Sequence, residues 1–182
     1  MNAKTIVKSI AHFAGEQSAV SAIEFAVLLP VMMTLYLGSV EASQGIAAQR
    51  KVTLTAHALA DLASQYTDIT NADMSNILAA GPAIITPYSA TNLQEVVSEL
   101  SINAQGEASV VWSDTLGGTA LSVGTVVTIP SSLAVPNSYL ILAQVQYNYD
   151  PTYGYVMTGN MTLSDQSYVL PRQSTSIART AT

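Results

Sequence analysis

Between Ser18 and Ser43 the chain is almost wholly apolar, and from Val20 to Val40 only Glu24 carries a charge. About twenty residues rising about 1.5 Å each cover the roughly 30 Å hydrocarbon core of a bilayer, so the pattern predicts a membrane span at about 20–41. Beyond it Ile46, Val52, Leu54, Leu59 and Leu62 recur among many alanines, and no proline falls between Glu41 and Tyr66. Alanine is the strongest intrinsic helix former, so one long helix is predicted over residues 20–66. Pro30 interrupts it, removing the hydrogen bond to the carbonyl of Ala26 and predicting a kink.

Past Tyr66 the pattern shortens. Thr70, Asn71, Ala72 and Asp73 form a capping cluster ahead of Met74, Ile77 and Leu78, and Gly81-Pro82 is predicted to stop that short helix. Residues 93–103 read as delivering a strand, with a short capped helix over 92–95 as the alternative, and the pattern then changes to period two. Residues 97–102 and 108–112, joined across Ala104-Gln105-Gly106, read as a hairpin. Gly117-Gly118 and Gly124 mark a loop or a poorly ordered excursion. Ser138 to Tyr149 is the clearest strand, with Ile141, Ala143, Val145, Tyr147 and Tyr149 on one face and Leu140, Leu142, Gln144, Gln146 and Asn148 on the other. Residues 161–170 are predicted to pair beside it, and 175–182 read as a loose tail. The expected class is α+β: a long N-terminal membrane-spanning, pilin-like helix followed by a small antiparallel β-sheet domain outside the cytoplasm. The divisions are a leader at 1–19, the helix at 20–66 and the outer domain at 67–182.

Composition narrows the chemistry. Twelve acids against six Lys and Arg give a net charge of −6 in 182 residues, which argues against nucleic acid as a partner. With no cysteine, disulfides, thiolate metal sites and Cys nucleophiles are all excluded. Only His12 and His57 are present. His57 and Asp61 are four residues apart on one helical face and could orient an imidazole, but neither a nucleophile elbow, a metal-ligand cluster nor a phosphate loop accompanies them. No enzyme, metal or cofactor is expected. Arg172 reads as an ion-pair or capping residue inside the domain. Tyr139, Tyr147, Tyr149, Tyr153, Tyr155 and Tyr168 suit strands, and Tyr153 and Tyr155, in a Pro/Gly loop, are the better candidates for outer contacts.

Lys4, Lys8 and His12 precede the span, whereas Arg50 and Lys51 follow it by about ten residues. The short basic leader favours a cytoplasmic N-terminus with the domain translocated. A secretory signal peptide is the competing reading, but the apolar run exceeds an ordinary 7–15-residue h-region.

A carboxylate in hydrocarbon costs on the order of 2.5–3.5 kcal/mol at the bilayer centre and less near its edge. Glu24 therefore either sits among headgroups or is neutralised with no role, or it pairs with a cation. Cleavage between Ala19 and Val20 would create an amine four residues ahead of it, which one copy could offer to another's carboxylate. Glu41 reads as a solvated charge just past the span or as an intersubunit contact. Gly38 and Gly45 would let another helix approach closely.

The run Ala19-Val20-Ser21-Ala22-Ile23-Glu24-Phe25-Ala26-Val27-Leu28-Leu29-Pro30, followed by Gly38-x-x-Glu41, resembles the N-terminal segment of the TadE-like (TadE/TadG) proteins of tight-adherence, Flp-type, type IV pilus systems. The ending Ser-Tyr-Val-Leu-Pro-Arg at 167–172 is similar as well. The resemblance implies a minor pilin-like or pseudopilin-like subunit cut by a prepilin peptidase between Ala19 and Val20, with Glu24 at position five of the mature chain and Glu24 and Phe25 used in assembly. It implies as partners pilin-like subunits, the inner-membrane assembly platform and a second TadE/TadG-like protein. It also implies a single-pass bacterial inner-membrane location with a periplasmic C-terminal domain, or a place in the extracellular pilus. Type IV prepilins usually carry Gly before the cut; this chain has Ala19, which leaves an uncleaved, membrane-retained form open. A membrane-anchored binding or sensing domain without a pilus role is the alternative.

Overall fold

A computed structural model describes residues 17–151 and 159–180. Its elements are α1 (Gln17–Ser64), β1 (Asp68–Thr70), α2 (Asn71–Leu78), α3 (Ala80–Ile85), β2 (Leu93–Ile102), β3 (Ala108–Leu116), β4 (Val126–Val127), β5 (Tyr139–Tyr149), β6 (Met161–Val169) and β7 (Ala178–Thr180). A long apolar N-terminal helix followed by an antiparallel sheet makes the class α+β, as the sequence predicts.

Two compact units divide the chain, one holding the residues up to Ser43 and the other Gln44–Pro151 with Gly159 onward. In the first, α1 passes through Pro30 without ending. The Thr34 hydroxyl donates to the Pro30 carbonyl at 2.9 Å and that of Ser39 to the Tyr36 carbonyl at 2.7 Å, so both side chains satisfy their polar groups within the helix. Among the described residues this is the one helix long and apolar enough to cross a membrane.

The second unit is organised around β2, central in the sheet order β4-β3-β2-β5-β6, in which every neighbouring pair is antiparallel. The C-terminal part of α1 buries Ala48, Val52, Ala56, Leu59, Ala60 and Ala63 in one core with Val97, Ile141, Ala143, Val145, Tyr147 and Tyr149. The alanines remove side-chain bulk, so the helix can lie close to the sheet while Val52 and Leu59 supply contact area. Each fully buried aliphatic of that size contributes about 1.5–3 kcal/mol. The β5 face predicted to be apolar is the face that packs there.

The opposite face carries a second core of Leu100, Ile102, Ala108, Val110, Leu140 and Leu142, against which Leu121, Val127, Ile129 and Leu133 pack. The Gly-marked stretch between β3 and β5 thus closes over one half of this face. A register shift at Glu99/Leu100 pairs Glu99 with Trp112 but Leu100 with Val110. The extra residue, Val111, reverses the alternation along β3: Ala108 and Val110 lie in the second core and Trp112 in the first.

Two expectations are corrected. Gly81-Pro82 does not end α2, which stops at Leu78; both lie in the first turn of α3, where proline's missing N–H is tolerated. The tail is not loose through Thr180. Ile177 is buried, and β7 pairs in parallel with β1 through Asp68–Ala178, Ile69–Arg179 and Thr70–Thr180. Arg179 anchors it, its guanidinium meeting Asp114 at 2.8 Å, the Ile69 carbonyl at 3.1 Å and the Asn71 side chain at 2.8 Å. The expected cap at Thr70 is a capping box, closed reciprocally with Asp73.

Candidate functional site

The first candidate surface is the N-terminal part of α1. Its large apolar residues are solvent-facing: Ile23 is 67% exposed, Phe25 59%, Val27 67% and Leu35 69%. So much exposed apolar area on a helix marks a surface built for lipid or for other helices. Glu24 lies within it, in a shallow groove with Ile23, Val27 and Leu28, and makes no ion pair among the described residues. Val20 precedes it by about one helical turn, roughly 6 Å along the axis. Ala19 and Val20 both fall inside the described helix.

Further along, Glu41, Gly45, Ala48, Val52, Leu59 and Ala63 recur at helical spacing, and all are buried. Glu41 is 1% exposed, so it is not the solvated charge considered from sequence. Gly38 is half-buried and remains partly open to another helix.

Residues 19–61 match the family of TadE-like proteins. The match takes in Glu24, Phe25, Pro30, Gly38, Glu41 and Gly45 together. No curated protein and no solved structure matches the chain. Among the described residues, the one helix that length and composition allow to cross a membrane overlaps this match.

The TadE-like segment ends at Asp61, inside the part of α1 that packs on the sheet. There a polar seam joins helix and edge strand. Gln49 donates to the Ser164 carbonyl at 3.3 Å, Thr53 to the Asp165 carboxylate, and His57 Nδ1 lies 2.9 Å from the Ser167 hydroxyl. The i, i+4, i+8 spacing puts all three on one stripe facing β6. Asp61 instead pairs with Arg172, whose backbone N–H also meets the Ser64 carbonyl at the end of α1. His57 and Asp61 are thus engaged separately, each holding a different part of the C-terminal region. No cluster of three potential metal ligands occurs among the described residues.

Sequence reasoning missed two buried acids on β2. Glu95 is fully buried, neither carboxyl oxygen has a hydrogen-bond partner among the described residues, and burial pushes its pKa up to about 8. Glu99 is also buried; burial raises its pKa, and the hydrogen bond from the Ile177 N–H opposes the rise. The signal was available. Starting the strand at Leu93 rather than Val97 puts Leu93, Glu95, Val97 and Glu99 on one face, and the apolar members declare that face internal.

Tyr147 and Tyr149 are buried, and Tyr88 meets their rings at 6.3 and 6.1 Å between centroids while its hydroxyl donates to the Gln44 carbonyl at 3.2 Å. They serve the core. Tyr153 and Tyr155 lie outside the described residues.

Proposed function

We propose that the protein is a minor pilin-like subunit for assembly or initiation of a Tad/Flp type IV pilus, acting through α1. In this reading a prepilin peptidase cuts between Ala19 and Val20. The amine so formed on one copy meets Glu24 of a neighbour in the low-dielectric interior of a helix bundle. A carboxylate and an ammonium that are costly alone in hydrocarbon offset each other there, and their pairing sets the axial register of adjacent helices. Phe25 and the surrounding aliphatics supply packing, Pro30 allows a bend, and Gly38 permits close helix approach. Pilin-like subunits, the inner-membrane platform and a second TadE/TadG-like protein are the partners, with the domain beyond Gln44 in the periplasm.

The observation that carries this reading is Glu24, unpaired within its own described chain, in an apolar groove of a segment that matches the TadE-like family. Replacing Glu24 with Gln removes the charge and keeps the shape. Pilus assembly should fall at least about tenfold, as loss of more than about 1.4 kcal/mol per contact requires, with the chain still folded and membrane-bound. Normal piliation in that variant would favour an anchored binding domain instead.

A further inference from the structure

The half of the outer sheet face left open by the β3–β5 segment carries a groove of about 710 Å³. Two ranks of side chains cross its floor. Register sets Gln94, Gln146 and Ser164 side by side in one, and Val96, Gln144 and Gln166 in the next. Gly118 and Thr119 form a wall over β2; a Cβ on Gly118 would stand 3.5 Å from the Gln94 Cβ.

The floor is amide-rich and uncharged. Gln144 donates to Gln166 at a long 3.4 Å, and the side chains of Gln94 and Gln146 make no hydrogen bond among the described residues. Each amide offers two N–H donors and a carbonyl acceptor. Asp165 is the one charged residue on the lining, and its carboxylate is engaged by Thr53 of α1 and the Gln166 N–H. A charged ligand would thus meet no free counter-charge.

An extended peptide would add to a strand edge, but β2 and β5 are paired on both sides and β6, the edge strand, already has its Ser164 carbonyl engaged by Gln49 of α1. Groups that donate and accept at once suit the floor better, and sugar hydroxyls do so. Tyr168 stands in the next rank, opposite Leu142 and beside Gln166 on the same face, where an aromatic side chain borders the amides.

We propose that this groove binds a neutral oligosaccharide, with Gln94, Gln144, Gln146 and Gln166 as its hydrogen-bonding floor. The proposal is independent of the role assigned to Glu24. It is tested on the full chain in lipid nanodiscs free of sugar detergents, following the side-chain amide signals of ¹⁵N-labelled glutamine. Maltotriose and chitotriose are the neutral probes, and a trimer of galacturonic acid is the charged one, each to about 10 mM, which captures roughly millimolar affinities. A neutral trimer should shift the four Gln signals saturably. In the Gln144→Ala/Gln146→Ala variant, with its backbone spectrum otherwise unchanged, affinity should fall at least about tenfold, or 1.4 kcal/mol. The proposal is overturned if neither neutral trimer shifts these signals, if the variant binds as well as the parent, or if the acidic trimer binds as tightly.

Discussion

The carboxyl of Glu99 accepts the backbone N–H of Ile177 at 2.6 Å, and the Trp112 indole donates to the carbonyl of the same residue at 2.8 Å. Both backbone groups of Ile177 are thereby held from side chains of the first sheet core, and β7 is delivered beside β1. The arrangement depends on the register shift that turns Trp112 onto that face.

Trp112→Phe keeps an aromatic side chain but leaves the buried Ile177 carbonyl without its indole donor. A buried group stripped of its partner costs about 1–3 kcal/mol. Hydrogen exchange followed by mass spectrometry should show residues 177–180 exchanging faster, with β2 and β5 little changed. Uniform acceleration across the domain would indicate general core damage instead.

Glu95 makes stability pH-dependent. Its carboxyl ionises near 4.5 when unfolded and at about 8 when folded, so between those values the native state binds more protons and stability falls as pH rises. At about 1.4 kcal/mol per pKa unit, and allowing for relaxation and water entry, the loss is on the order of 2–3 kcal/mol by pH 8. Denaturant unfolding of the full chain in micelles from pH 5 to pH 9 should show this decline, and Glu95→Gln should flatten it. An unchanged slope in the variant would assign the effect to another group.

Gly81 has no room for a side chain. A Cβ there would fall 1.3 Å from Glu95 Oε1, so Gly81→Ala should destabilise the domain by about 1–3 kcal/mol through overpacking. Combining it with Glu95→Ala should recover part of that loss, since contacting residues do not add independently. Strict additivity of the two changes would contradict the contact.

The long helix, the alternation of β5 and the Thr70 cap were legible because each rests on local periodicity or a short capping pattern. Trp112 was not placed by alternation, because one bulge reverses the face of every residue beyond it and leaves no composition cue. The tail at 178–180 reads as loose in sequence because its order comes from distant partners, Asp114, Glu99 and Trp112, which no local pattern announces. Gly81-Pro82 looked like a stop, yet a proline in a helix's first turn reads the same way in sequence. For the candidate site, Glu24 stood out as a charge in an apolar run. The burial of Glu41 and Gly45 did not, since in sequence small residues that could face another helix read the same as buried ones.

The Glu24 pairing requires that Val20 become an N-terminus, for without that amine Glu24 has no such partner. Intact-mass and N-terminal peptide mass spectrometry of the protein isolated from cells making the pilus tests this directly. The expected result is a mature chain that begins at Val20. A chain retaining residues 1–19 in the assembled or membrane-bound protein would contradict it.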